Sequence, residues 1–149
     1  MRLPVRLSVL CFIGVLVAGS SALGYYYLYV YAPPLEAAAA FLDAMETGEP
    51  DRVARTIVMN VGRDVDDLRP PTDEEVAALI ADGFTRGRIL DQRKREGATR
   101  TFHYLVYREP DGQIFALVAT EVEGGYRVVI PEDPMSDRRI YLWDYTWTN

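Results

Sequence analysis

An uncharged run near the N-terminus constrains this chain more than any other feature. Arg2 and Arg6 precede 26 residues without a formal charge, residues 7–32. At about 1.5 Å of rise per residue, a helix of that length reaches roughly 39 Å, more than the ~30 Å hydrocarbon core of a bilayer requires. The sequence therefore predicts that this part of the chain enters a membrane and that a globular domain begins after it.

Two interpretations fit the run: a cleaved secretory signal and a retained transmembrane anchor. Cleavage after the small residues 19–22 would leave a mature chain that begins with an apolar, aromatic segment and has nothing obvious to bury it. A retained anchor uses those rings as a belt at the membrane–water interface, where amphipathic tyrosines gather. We favour the anchor. The predicted belt consists of Tyr25, Tyr26, Tyr27, Tyr29 and Tyr31.

The prolines after the belt are predicted to end the helix, because Pro33 and Pro34 lack an amide proton and restrict the residue before them. The positive-inside rule keeps the two N-terminal arginines in the cytoplasm. We therefore expect an anchor at residues 1–33 and an extracytoplasmic domain at residues 34–149. The expected location is the cell membrane, single-pass, with the domain on the periplasmic or outer side.

The outer domain is acidic. Without the two N-terminal arginines, 14 basic residues stand against 22 acidic ones, which gives a net charge of −8. Such a surface repels phosphate backbones, so we expect no nucleic-acid partner. Cys11 is the only cysteine and lies inside the apolar run, so no disulfide can form within the chain.

The first part of the outer domain has a helical hydrophobic period. Residues 34–48 predict an alanine-rich helix that ends at Gly48, a residue suited to a left-handed cap. Its apolar stripe is formed by Leu35, Ala38, Phe41, Leu42 and Met45. A second helix is predicted to begin near Pro50. Its inner face is formed by Val53, Ala54, Ile57 and Val58.

A polar loop is predicted over residues 62–71. Thr72 and Glu75 then match a capping box, in which the hydroxyl accepts from the Glu75 amide while the carboxylate reaches back to the start of the helix. This pattern predicts a short third helix before Gly83.

From residue 88 onward the hydrophobic period changes to two. Strands are predicted at residues 88–96, 99–108, 113–123 and 126–130, and the glycine-containing turns between them predict an antiparallel meander. Residues 114–119 are apolar on both faces, so both sides of the sheet must be covered near its centre. Helices can cover one side. The second cover is predicted to be the aromatic tail, residues 140–147, or another chain.

The fold class is therefore α+β, with helices packed on an antiparallel β-meander. The first helix, Ala39-Ala40-Phe41-Leu42-Asp43-Ala44, is followed by Gly48-Glu49-Pro50-Asp51 and Ala54. With this pattern the chain resembles the nuclear transport factor 2-like superfamily (cystatin-like α+β), in its membrane-tethered bacterial form. The resemblance implies a cone-shaped domain over residues 34–130. The superfamily contains isomerases, dehydratases, binding modules and structural assembly domains, so it implies no single activity.

His103 and Asp91 are the candidates for acid–base chemistry. His103 is the only histidine and lies in a predicted strand, on the same face as Leu105 and Tyr107. It could pair with Asp91 on the neighbouring strand, but a lone strand histidine also serves as a hydrogen-bonded structural residue. The sequence has no second histidine for a dyad and no serine in a nucleophile-elbow motif. We therefore expect no enzymatic activity.

Metal and cofactor sites are not expected. Asp64, Asp66 and Asp67 cluster in the polar loop, but they lack the glycine and the distal glutamate of a helix–loop–helix calcium site. One histidine and one membrane-buried cysteine cannot supply a transition-metal site. No glycine-rich phosphate loop occurs. The single basic run, residues 93–95, is interpreted as an edge strand that charge protects against unwanted pairing.

The aromatic tail allows two interpretations. Its large rings are Tyr141, Trp143, Tyr145 and Trp147. They can form a final strand or arm that covers the sheet, or an interface that docks onto a neighbouring protein, for which Trp and Tyr are typical anchors.

The sequence hypothesis is a non-enzymatic, membrane-anchored accessory or scaffold protein, a subunit of a membrane or envelope complex that can also form a homo-oligomer. The alternative is a small-molecule-binding module that uses the cone pocket. An acid–base enzyme centred on His103 ranks third.

Overall fold

An apolar helical segment, exposed from residue 11 to residue 29, lies near the start of the described residues. A computed structural model describes residues 5–61, 67–83, 85–131 and 143–144, and it divides the chain into two units, Met1–Pro33 and Pro34–Asn149. In the first unit, helix α1 spans Val5–Tyr26 and a π-helical segment spans Tyr27–Tyr31. Within the described residues, the helical stretch Cys11–Thr47 is long and apolar enough to cross a membrane, a criterion that a signal sequence also meets.

The two prolines do not end the helical structure, which corrects the sequence prediction. Helix α2 spans Ala32–Thr47 and holds Pro33 and Pro34 in its first turn. Proline is tolerated there because the first amides of a helix have no intrahelical partner. The π-helical segment contains Tyr29 and Val30, whose carbonyls lie four residues before the prolines. Its wider turn is the local adjustment that relieves the clash between a proline ring and that carbonyl.

Among its described residues, the second unit also contains two further helices and seven strands. The helices are α3 (Pro50–Thr56) and α4 (Asp73–Asp82). The strands are β1 (Ile57–Asn60), β2 (Leu68–Arg69), β3 (Arg88–Glu96), β4 (Thr101–Arg108), β5 (Ile114–Val122), β6 (Gly125–Ile130) and β7 (Trp143–Asp144). The mixed α+β class is confirmed, as are the helix stop at Gly48, whose φ is +66°, and the capping box at Thr72.

The strands form one mostly antiparallel sheet. Six of them follow the order β2-β1-β6-β5-β4-β3, and β7 pairs with β5 at Ala116 and Phe115. The run β3 to β6 is the predicted meander. Only the pairing of β1 with β6 is parallel among the described strands. Strand β3 lies at one edge of the sheet, as its basic run predicted.

Strand β1 replaces the end of the predicted second helix. Helix α3 stops at Thr56, and Ile57 and Val58 extend the sheet beside Val128 and Val129. Consecutive β-branched side chains favour this extended conformation, and a strand inside the sheet pairs backbone groups that a helix end would leave open. The predicted polar loop also contains β2, which pairs with β1, whereas residues 62–66 lie outside the described residues.

Both faces of the sheet are buried. On one face the helices α2, α3 and α4 pack against the strands. The apolar stripe of α2 is confirmed, because its members either belong to this core or pack against it. The core includes Phe41, Val53, Leu79, Leu105, Tyr107, Leu117 and Val128. We call this side the helix-bearing face.

The opposite side, here called the second face, carries its own apolar cluster. Its members are Val58, Phe102, Tyr104, Ala116, Val118, Val129 and Trp143. Trp143 is 7% exposed, and its Nε1 donates a hydrogen bond of 2.9 Å to the carbonyl oxygen of Val129. The aromatic tail thus covers the second face at Trp143. Central strand β5 has side chains buried on both sides, as its doubly apolar sequence requires.

Tyr107 joins the loop before β3 to the sheet. Its hydroxyl donates to the Thr85 carbonyl at 2.8 Å and accepts from the Gly87 amide at 2.5 Å. The backbone of Gly87 is in close contact with this ring. A β-carbon at position 87 would lie 2.7 Å from the Tyr107 ring and would overlap the carbonyl oxygen of Arg108. The loop can close only over a residue without a side chain.

Replacing Gly87 by alanine therefore tests the close approach. We expect Gly87→Ala to lower the free energy of unfolding by about 1–3 kcal/mol, the usual cost of overpacking, as measured by urea denaturation of the outer domain in the full chain. Gly24→Ala is the matched control, because a β-carbon at Gly24 meets no atom within 4 Å. Equal stability of the two variants would contradict the steric account.

Glu75 links the capping box to β2. Its carboxylate accepts from the Thr72 amide at 2.8 Å and forms hydrogen bonds of 2.5 and 2.8 Å with the Arg69 guanidinium. The guanidinium, with the Thr72 groups, lowers the pKa of Glu75 to about 2, while burial opposes the shift. The ionised carboxylate therefore stabilises the folded chain.

The stability effect of Glu75 depends on pH in a defined direction. Because its folded pKa lies below the ordinary 4.5, its contribution is complete above pH 4.5 and is lost as the pH falls toward 2. We expect Glu75→Gln to cost about 1–2 kcal/mol at pH 7, a value reduced by solvent screening of the pair, and progressively less in acid. Glu74→Gln is the control, since Glu74 has no ion pair with any described residue. A pH-independent difference between the variants would contradict the assignment.

Candidate functional site

The only histidine lies buried on the helix-bearing face. His103 is in the middle of β4 and 3% exposed. Side chains alternate along a strand, so it shares its face with Leu105 and Tyr107, while Phe102 and Tyr104 belong to the second-face cluster. The assignment of faces along β4 agrees with the sequence prediction.

Gln92 of β3 is the hydrogen-bond partner of the imidazole. Its Nε2 lies 2.9 Å from Nδ1 of His103. An amide nitrogen can only donate, so with the amide in this orientation Nδ1 accepts and the ring proton is on Nε2. The tautomer of the ring therefore follows from the orientation of the amide, which can donate through nitrogen or accept through oxygen.

Tyr126 of β6 completes the cluster. Its ring lies edge-on to the imidazole, with the centroids 5.5 Å apart and the planes at 74°. Burial is the main cause of a lowered pKa of His103, and the nearby charge of Lys94 adds to it, while Glu96 opposes it. Burial, with the charge of Glu121, raises the pKa of Tyr126. Both rings are therefore neutral near pH 7.

The structure does not bring His103 and Asp91 together, which corrects the predicted pair. A β-bulge shifts the register of β3 between Ile89 and Asp91. Ile89 packs on the helix-bearing face, and counting by two from it would place Asp91 on that same face. The bulge instead puts Asp91 opposite Val106, on the second face, so Gln92 takes the position beside the histidine.

Charged residues at the outer edge of the cluster neutralise one another. Lys94, the cross-strand partner of His103, forms a 2.7 Å ion pair with Glu96. Thr101 donates a 2.7 Å hydrogen bond to the same carboxylate. The buried part of the cluster therefore carries no net charge.

The other predicted site residues lie elsewhere. Trp143 belongs to the second-face cluster, whereas Tyr141, Tyr145 and Trp147 lie outside the described residues, as do Asp64 and Asp66. The interface role of the four tail rings stays a prediction.

The predicted tyrosine belt lies at the end of the apolar run. Tyr25, Tyr26, Tyr27 and Tyr29 are exposed, and Tyr31 is partly so. The rings pair four residues apart, Tyr25 with Tyr29 at 4.7 Å and Tyr27 with Tyr31 at 5.8 Å between centroids. Their role at a membrane interface stays a prediction.

Within the described ranges, no group of three or more His, Cys, Asp or Glu side chains could hold a metal ion. Comparison with protein-family models, with curated proteins and with solved structures gave no match. Function must therefore be argued from the chain itself.

The sequence interpretation missed Gln92 and Tyr126. The contact of Gln92 with His103 could have been predicted only from the β-bulge in β3. The residues that flank this bulge are neither glycine nor proline, so the sequence does not signal it. Tyr126 follows the predicted Gly124–Gly125 turn. Its contact with His103 could not be predicted, because β5 lies between their strands and only the order of strands in the sheet brings the two rings together.

The arrangement suits hydrogen bonding by a neutral imidazole.

Titration of His103 should appear in the stability of the chain. The pKa of His103 in the folded chain is below the ordinary 6.5, so the unfolded chain binds a proton there more readily. The folded chain therefore loses stability relative to the unfolded chain as the pH falls below 6.5. We expect His103→Asn to flatten the decline in the free energy of unfolding between pH 7 and 5. Parallel stability curves for wild type and variant, measured by urea denaturation, would show that the pKa of His103 does not change on folding.

Proposed function

We propose that the chain is a non-enzymatic accessory protein that a single transmembrane helix anchors, with residues 34–149 held outside the cytoplasm as a subunit of a membrane or envelope complex. The observation that carries the proposal is the exposure of every side chain from residue 11 to residue 29, in a segment without charge. A continuous apolar surface of that length is unfavourable in water and matches the interior of a bilayer.

The orientation rests on charge. Arg2 and Arg6 are the only charged residues before the apolar run, and such residues stay in the cytoplasm. The tyrosine belt at the other end then lies at the outer interface. The remaining domain, with its net charge of −8, stays in water beside the membrane.

We further propose that this domain is of the nuclear transport factor 2-like type and cone-shaped. Three helices that precede and cover one face of an antiparallel meander are the arrangement that the resemblance implies. The parallel strand β1 beside β6 extends that arrangement.

A structural role for the polar groups supports assembly rather than catalysis. Gln92 occupies Nδ1 of His103, where the carboxylate of a catalytic pair would bind, and Asp91 faces away. The Tyr107 hydroxyl closes a loop, and the Thr120 hydroxyl donates to the Thr101 carbonyl at 2.7 Å. These groups serve the fold.

Membrane anchoring can be tested on the full chain in its own membranes. We expect the protein to resist alkaline carbonate extraction, to keep its full intact mass, and to lose the outer domain to protease added from the outside. A soluble protein shortened near Ala22 would establish a cleaved signal and overturn the anchor.

The tail can be tested for docking through two tryptophans. We expect Trp143→Ala to destabilise the domain by about 3–5 kcal/mol, because it removes a buried ring from the second-face cluster. Trp147→Ala should keep the melting temperature and weaken co-purification of partners from mild detergent. Ile114→Ala, at a residue 39% exposed, is the control that should change neither. Unchanged partners with Trp147→Ala would contradict docking through this residue.

A further inference from the structure

The second face of the sheet carries positive charge. Along strands β3 to β6, the strand register and the alternation of side chains place five arginines and one aspartate on this face, which gives it a charge of +4. The arginines are Arg88, Arg93, Arg95, Arg108 and Arg127. Four of them are exposed and Arg127 is partly so. Because the second unit as a whole has a net charge of −8, this face differs in sign from the rest of the surface.

The helices on the other side of the sheet are acidic. Together α2, α3 and α4 hold eight acidic residues and two arginines, a charge of −6. Their apolar stripes pack against the sheet, so the outward surface of the helix layer carries these charges. Four exposed acids of this surface form no ion pair with a described residue: Glu36, Asp51, Asp73 and Glu74.

The second face also holds arginines without an acidic neighbour. Elsewhere in the described part of the domain Arg86, for example, lies 2.9 Å from the carboxylate of Asp43. By contrast, Arg88, Arg108 and Arg127 form no ion pair with a described residue. Arg88 and Arg108 are direct cross-strand partners, an arrangement in which like charges repel. An acidic surface docked from outside would relieve this repulsion.

We propose that the arginine-bearing second face docks onto the acidic helix surface of a second copy of this chain. The charges of +4 and −6 are complementary, and both surfaces belong to the same chain. A contact between different surfaces of two copies is heterologous, so it repeats head to tail and forms a ring or a row. The inference rests on the assembly role proposed above, for which it names the partner.

Anchoring in one membrane, as proposed above, favours a second copy as the partner. Copies held in the same membrane share one orientation and a high local concentration, so that even a contact of modest affinity is populated. Arginine suits such a contact because its guanidinium binds carboxylates in a bidentate geometry. The charges are exposed, so salt should weaken the contact.

A mixture of two variants tests the contact. The full chain is purified in a detergent with an uncharged headgroup, and self-association is measured by sedimentation velocity in about 50 and about 500 mM NaCl. We expect the wild type to associate at low salt and to bind itself at least about tenfold more weakly at high salt.

The first variant reverses two charges of the second face, Arg88→Glu with Arg108→Glu, and the second reverses two charges of the helix surface, Asp51→Lys with Glu74→Lys. Each variant alone should associate at least about tenfold more weakly than the wild type at low salt, because every contact then has one altered side. An equimolar mixture should form pairs with about the wild-type affinity, because the unaltered helices of the first variant meet the unaltered second face of the other.

A matched control separates this contact from an effect of net charge. Arg52→Glu with Arg55→Glu makes the same change of charge as the first variant, but on the helix surface, and should not weaken association. If a reversed pair does not fold, the pair of glutamine substitutions at the same positions replaces it, and its association alone and in the mixture decides.

Three results would overturn the proposal. These are a wild type that stays monomeric at low salt, variants that associate as strongly as the wild type, and a mixture that associates no better than its components. The last result would assign the arginines to a different acidic partner or to anionic lipid. None of these results bears on the anchor, which carbonate extraction tests separately.

Discussion

The second unit depends on burying both faces of one sheet. Strand β5 places Leu117 and Ala119 against the helices and Ala116 and Val118 against the second-face cluster, all of them fully buried. A strand in that position needs neighbours on both edges and cover on both sides. Strands β4 and β6 pair with its two edges, the helices cover one side, and Trp143 covers the other.

The same constraint explains why the polar cluster is confined to a few residues. His103 occupies a strand position that the apolar pattern reserves for the core, so its nitrogen atoms must find partners inside the protein. Gln92 supplies one partner, at Nδ1.

The two units differ in composition. Residues 11–29 expose apolar side chains throughout, while the second unit combines a double-sided core with a net charge of −8. The anchored accessory role that we propose reconciles both properties, since one unit partitions into lipid and the other stays in water. Charge at the edge of the sheet, in strand β3, opposes pairing with other strands.

Local sequence determined the features that short-range physics controls. The apolar run, the stripe of α2, the stop at Gly48, the capping box at Thr72 and the β-meander all follow from periodicity, propensity and capping. Tertiary structure decided the rest. Ile57 and Val58 became a strand because β6 offered a partner, and Gln92 rather than Asp91 reached His103 because a bulge changed the register. Both outcomes depend on contacts between residues distant in sequence, which periodicity along one segment cannot encode.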